Sequence, residues 1–186
     1  MTPAVAATAL RVLWLAAEYP YLRRHSVRPA RDWDRRSALG WDMANALEPV
    51  GMALGFLGVG MMRGAGPSVG RVGVALLLLG VGIRWSAIRA LGKFFTGVVL
   101  IREDHTLLRE GLYRHVRHPA YTGSRVAHLG LGLSFANWFS LFFGVAPFAL
   151  AALYRIRVEE RALREAFGAE YDAYARETRR LIPGVF

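Results

Sequence analysis

The sequence predicts an all-α fold: a polytopic membrane bundle of about five transmembrane helices followed by a cytoplasmic helical tail. Three observations predict it. Apolar residues make up 54% of the 186 positions, yet the formal net charge is +10. One small soluble core cannot hide that much apolar surface, so the two kinds of residue must be separated in space. Long apolar runs do alternate with arginine-rich stretches along the chain, and strongly and weakly basic connections alternate between those runs.

The first run, about Pro3 to Tyr19, has no basic stretch before it and carries Arg11 inside it. It therefore reads as a retained span and not as a cleaved signal peptide, with Trp14 and Tyr19 suited to an interface. The second covers about Met43 to Met62 and the third about Val72 to Ala90. Glycines at 51, 55, 58 and 60, and at 73, 80 and 82, read either as seams for close helix approach or as ordinary membrane-helix glycines. The fourth run, about Ala120 to Ala136, and the fifth, about Phe139 to Ile156, have only Asn137 and Trp138 between them. They predict a tight helical hairpin, kinked at Pro147. From Glu159 to Leu181 the pattern becomes amphipathic, with Gly168 expected to interrupt the helix.

The connection after the first run carries Arg23, Arg24, Arg28, Arg31, Arg35 and Arg36, and the one after the third carries Lys93, Arg102, Arg109, Arg114 and Arg117. The tail is again arginine-rich, whereas the connection after the second run holds only Arg63 and Arg71. An odd number of spans fits this alternation, with the N-terminus outside and the C-terminus cytoplasmic. The Arg/Ala/Gly-rich composition points to a bacterial source and hence to an inner (plasma) membrane. The arginines flank apolar runs and form no basic face interleaved with aromatics, so nucleic acid is not an expected partner. With no cysteine, disulfides, thiolate catalysis and cysteine-held metals are excluded, and no metal site is expected. Residues 1–186 read as one integral membrane domain, with N-terminal helices over 1–91 and a functional core over 92–186.

Polar residues cluster on the same expected side. His105-Thr106-Leu107-Leu108 precedes Gly111-Leu112-Tyr113; Arg117-His118-Pro119-Ala120-Tyr121 enters the fourth helix; Arg155, Glu159 and Glu160 leave the fifth. A tight hairpin makes the last two clusters neighbours. Each has an ordinary explanation: His-Pro opens many helices, Arg155 and Glu159 have ion-pair spacing, and Tyr113 and Tyr121 suit an interface. Their shared placement near membrane depth points instead to one polar pocket.

These clusters, continued by Thr122-Gly123, Asn137, Leu163, Phe167-Gly168-Ala169-Glu170-Tyr171, Tyr174 and Ile182-Pro183, resemble in order and spacing the isoprenylcysteine carboxyl methyltransferase family. That family includes phospholipid methyltransferase-like relatives, and the likeness covers roughly residues 92 to 186. The resemblance implies an integral membrane methyltransferase that uses S-adenosyl-L-methionine without a Rossmann sheet. It assigns cofactor binding to His105, Thr106, Leu107, Leu108, Tyr113, His118, Pro119, Ala120, Tyr121 and Glu159. Arg155 resembles the arginine assigned to substrate, and Arg155 and Arg117 are the expected catalytic pair. Where eukaryotic members have a cofactor-contacting glutamine, this chain has Val98, so that polar group is either missing or replaced by Arg102.

The implied acceptor is lipophilic: a small molecule or lipidated substrate drawn from membrane lipids and methylated on a carboxyl oxygen. A lipid amine or a thiol fits the same reading. Two alternatives stay open, a sterol-reductase-like NADPH enzyme and a non-catalytic membrane binding protein.

Overall fold

The computed structural model describes residues 1–25, 37–102, 104–182 and 184. Arg28, Arg31, Arg35, Arg36 and Pro183 lie outside the described residues. The described chain is helical: α1 (Pro3–His25), α2 (Ser37–Phe56), α3 (Pro67–Leu91), α4 (Pro119–Ser134), α5 (Trp138–Phe167) and α6 (Ala169–Glu177). Every expected apolar run has become a helix, but the boundaries moved. The second helix ends at Phe56 because Gly58 and Gly60 adopt φ of 71° and 80° and turn the chain. Met61 then pairs with Asn137 in an isolated bridge. The fifth helix passes through Pro147 without a break and absorbs the start of the amphipathic tail. Gly168, at φ 52°, separates it from α6 where the sequence placed the interruption.

The close-packed centre of the bundle is the α3–α4 pair. Gly73 and Gly80 of α3 oppose Gly130 and Gly123 of α4, each pair on heptad spacing. A Cβ on Gly80 would stand 2.2 Å from the Ala127 nitrogen, and one on Gly130 would stand 2.3 Å from the Leu77 nitrogen. Gly51 and Gly55 serve the α2–α5 contact in the same way, against Phe143, Ser140 and Phe135. Gly58 and Gly82 meet nothing within 4 Å, so they are not part of any seam. The α4–α5 hairpin forms as expected. The Asn137 carboxamide oxygen caps α5 by accepting from the Phe139 and Ser140 amides, and its nitrogen donates to Val59 O at 2.7 Å.

By length and apolarity, two helices qualify to cross a membrane among the described residues: Pro67–Phe94 and Trp138–Phe167. The other three expected spans fall short for identifiable reasons. Helix α1 carries Arg11 and Glu18, and α2 carries Asp42 and Glu48. Helix α4 has 16 residues, and at 1.5 Å rise per residue it is roughly 24 Å long. The acidic and basic groups are largely turned inward and paired: Arg11 Nε donates to Glu48 Oε2 at 2.8 Å, and Arg84 forms an ion pair with Glu18. Trp14 is buried and donates from Nε1 to Glu18 Oε2 at 2.6 Å, so it is not the interface anchor expected, whereas Tyr19 is exposed. Buried pairing explains why the hydropathy pattern of these helices is diluted although their outward-facing residues Val12, Leu13, Leu15 and Leu47 are apolar and exposed.

Candidate functional site

The segment between α3 and α4 wraps beneath the bundle and makes two short 3₁₀ turns, Gly92–Phe94 and Gly111–Arg114. It is held from below by the C-terminal tail. Arg117 N donates to Arg179 O at 2.7 Å and His118 N donates to Arg180 O at 3.0 Å, while Tyr174 Oη donates to Tyr113 O at 2.7 Å. Pro119 starts α4 as its first residue, where a missing N–H costs nothing. The long α5 projects past the start of α4, so Arg155, Glu159 and Glu160 stand beside His118 and Tyr121.

One cavity gathers these parts. His105, Thr106, Leu107, Leu108, Tyr113, Arg117, His118, Ala120, Tyr121, Arg155 and Glu159 all line it. Of the sequence-derived candidates, Pro119 alone is not on the wall; its buried ring belongs to the helix start. Val98 is on the wall, and Arg102 is not: its Nε donates to Asp104 Oδ1 at 3.1 Å. Arg102 therefore does not stand in for the eukaryotic glutamine in this arrangement.

The polar groups have defined partners. Arg155 is buried, and its Nε donates to Tyr121 Oη at 2.9 Å while a terminal nitrogen donates to Gly97 O. Tyr121, Arg155 and Glu159 all face the same cavity. Glu159 Oε2 is 3.8 Å from His118 Nδ1, and its side chain stays 32% exposed to the cavity. Glu160 points the other way, at 1% exposure, and receives Arg117 Nε at 3.2 Å and Arg180 Nη2 at 2.9 Å. The adjacent glutamates thus have different positions: Glu159 faces the cavity, and Glu160 ties the tail to the bundle. Arg117 also donates from Nη1 to Ala175 O at 2.8 Å.

His105 stacks on Phe94 with ring centroids 4.5 Å apart and meets the edge of Phe167 at 5.7 Å. Its Nδ1 is buried without a hydrogen-bond partner. Burial holds its pKa below the ordinary histidine value, against a smaller opposing pull from the Glu159 and Asp104 charges. Burial likewise raises the Tyr113 hydroxyl, and raises that of Tyr174 to about 12. Both remain protonated at neutral pH and act as donors, not as phenolate bases. Tyr113 is 6% exposed, so it is a buried support and no interface anchor.

Sequence reasoning missed the apolar half of the wall, including Leu91, Phe94, Phe95, Leu100 and Ile101. The Phe94-Phe95 pair just past the third apolar run was the available signal. It lay between a span and a motif and belonged to neither.

The model of the isoprenylcysteine carboxyl methyltransferase (ICMT) family matches residues 73–165, half of this chain. The chain belongs to the isoprenylcysteine carboxyl methyltransferase family. Among curated relatives, protein-S-isoprenylcysteine O-methyltransferase B of Arabidopsis thaliana is 35% identical over 106 residues, 55% of this chain and 53% of that protein. The protein-S-isoprenylcysteine O-methyltransferase of Schizosaccharomyces pombe is 33% identical over 104 residues, covering 54% of this chain and 44% of that one. The chain spans about half the length of the curated relatives it matches. A solved structure of the eukaryotic intramembrane Ras methyltransferase ICMT (isoprenylcysteine carboxyl methyltransferase) superposes with a TM-score of 0.60 over 78% of this chain and 52% of that chain. At 23% identity that likeness shows the fold. Family and apolar helices together make this a membrane protein of the ICMT fold.

Proposed function

We propose that the chain transfers a methyl group from S-adenosyl-L-methionine to the carboxylate of an isoprenylcysteine or a similar hydrophobic acid. The observation that carries this reading is the single cavity shared by Tyr121, Arg155, Glu159 and the His105–Leu108 loop. Its chemistry fits the cofactor. Glu159 offers a carboxylate for an ammonium, His105 Nδ1 is a buried polar atom without a partner, and Phe94, Tyr113 and Tyr174 offer aromatic walls. At about 100 Å³ the cavity is narrow.

When bound beside Glu159 and His118, the cofactor would supply an electrophilic methyl group with a neutral thioether as its leaving group. The acceptor carboxylate already carries its nucleophilic lone pair and needs no general base. Arg155, fixed by Tyr121 and the Gly97 carbonyl, orients that carboxylate and balances its charge. His118 and Glu159 hold the cofactor end, and Arg117 acts by keeping the tail closed beneath the cavity. Residues 92–186 form this catalytic core, and 1–91 supply membrane helices to the same domain. The proposed topology is five spans, with the N-terminus outside and the C-terminus cytoplasmic; the charge alternation supports it. Composition supports a bacterial plasma membrane, whereas the relatives named above are eukaryotic.

The test is incubation of purified protein with methyl-labelled S-adenosyl-L-methionine and a panel of prenylcysteine, fatty-acid, thiol and lipid-amine acceptors. Base-labile label on the prenylcysteine or fatty acid is expected. Label confined to the amine or thiol overturns the carboxyl assignment, and saturable binding of NADPH in place of S-adenosyl-L-methionine overturns the methyl-transfer reading.

A further inference from the structure

A second cavity lies within the bundle between α1 and α2, backed by α3, α4 and α5. At about 680 Å³ it is the larger of the two (the first is about 100 Å³). Its mouth is apolar, with Val12, Leu15 and Tyr19 exposed on the flank of α1, so it opens on the side of the bundle. Its floor is polar. Arg11, Glu18, Glu48, Arg84 and His128 all reach it and all are buried. Three of the five, Arg11, Glu18 and Glu48, precede residue 73, where the family match begins. None of them serves the chemistry described above.

Hydrogen bonds tie most of this floor together, and among the described residues two of its buried polar atoms lack a partner. Arg11 Nε donates to Glu48 Oε2 at 2.8 Å, Arg11 Nη2 donates to Asn45 Oδ1 at 2.7 Å, and Arg84 donates to Glu18 and Ser124. Glu48 Oε1 and His128 Nε2, 3.4 Å apart, are left without hydrogen-bond partners although both side chains are at least nine-tenths buried. His128 Nδ1 lies 2.6 Å from the Ser124 carbonyl, which can only accept, so Nδ1 carries the ring proton. In neutral imidazole Nε2 is then a lone pair. The open point is two acceptors side by side at the foot of an apolar shaft. Leaving such atoms unsatisfied in an apolar interior is costly, and a donor placed between them offsets part of that cost.

We infer that this α1–α2 cavity binds a membrane-soluble amphiphile that ends in a neutral hydroxyl, with the single hydroxyl proton shared between Glu48 Oε1 and His128 Nε2 and the alkyl chain lying along α1. The charges on the floor select a neutral head. Arg11 and Arg84 balance Glu18 and Glu48, so an ammonium or carboxylate head would add an unbalanced ion in a low-dielectric site. An anion is further disfavoured because the open atoms are both acceptors. The cavity is divided from the first by Arg84 over the Phe95 ring at 5.6 Å and by Trp41 against Tyr121 at 6.0 Å. It is a separate site, and its occupancy does not depend on the methyl-transfer reading.

The test uses the full chain in micelles without cofactor, and a long-chain bromoalkanol, its methyl ether and the matching bromoalkane as probes. Bromine quenches tryptophan, and Trp14 and Trp41 both line the cavity. Saturable quenching by the alcohol is expected, with half-saturation about ten-fold lower than for the ether, equivalent to about 1.4 kcal/mol. Equal quenching by all three probes, or quenching that rises linearly as bulk partition does, overturns the site. Glu48→Gln is close to isosteric: its carbonyl can keep Arg11 while its amide donates to His128 Nε2, filling both open acceptors. It should bring the alcohol to the ether's half-saturation, as should His128→Phe, which keeps the stacking on Phe148 at 3.6 Å. Alcohol selectivity that survives both substitutions overturns the placement; if neither variant folds, the three-probe comparison on the unaltered chain decides.

Discussion

Glu159→Gln is the perturbation that most directly tests the proposed cofactor site. The carboxylate lines the cavity, and its Oε2 lies 3.8 Å from His118 Nδ1. Nothing structural depends on it in the way that the tail depends on Glu160, so the substitution keeps the shape and removes the charge. A charge-assisted hydrogen bond contributes about 1.5–3 kcal/mol. With 32% of the side chain exposed, screening moves the expected loss to the low end of that range. The dissociation constant of S-adenosyl-L-methionine should therefore rise about ten- to twenty-fold. Equilibrium binding of labelled cofactor without acceptor measures this directly, and Glu177→Gln, on the exposed face of α6, controls for net charge. An affinity within two-fold of the unaltered protein, or an equal loss in the control, would refute the assignment of Glu159 to the cofactor ammonium.

Arg155→Lys keeps a positive charge but cannot hold Tyr121 and the Gly97 carbonyl with one planar fork, so acceptor KM should rise by more than about ten-fold while cofactor affinity changes little; comparable losses for both ligands would contradict an acceptor role. Gly80→Ala forces a methyl to within 2.2 Å of the Ala127 backbone and should cost about 1–3 kcal/mol or more in thermal unfolding, whereas Gly82→Ala, open on all sides, should leave stability within about 0.5 kcal/mol. His105 has a folded pKa depressed by burial. As pH falls through the unfolded value near 6.5, the unfolded chain takes up a proton that the folded chain resists, so stability is lost downward from about pH 6.5 until the folded value is passed. His105→Phe keeps the stacking on Phe94 and should flatten that acid limb of a thermal-shift profile; an unchanged slope would show that His105 does not titrate there.

The sequence by itself determined the helical bundle, the α4–α5 hairpin, the break at Gly168 and nearly the whole polar wall of the cavity. Those features are local: hydrophobic period, glycine φ and a motif whose parts sit close together along the chain. It did not determine that Gly80 meets Gly123, that Glu159 faces the cavity while Glu160 turns to the tail, or that Arg11 finds Glu48. Adjacent glutamates look alike until the neighbouring helices decide which one is desolvated. Charges within apolar runs blurred the span count for the same reason, since only a partner 37 residues away makes a buried arginine tolerable. The paired acceptors Glu48 and His128 came from tertiary packing alone, because an unsatisfied acceptor is a property of its surroundings and leaves no trace in the order of residues.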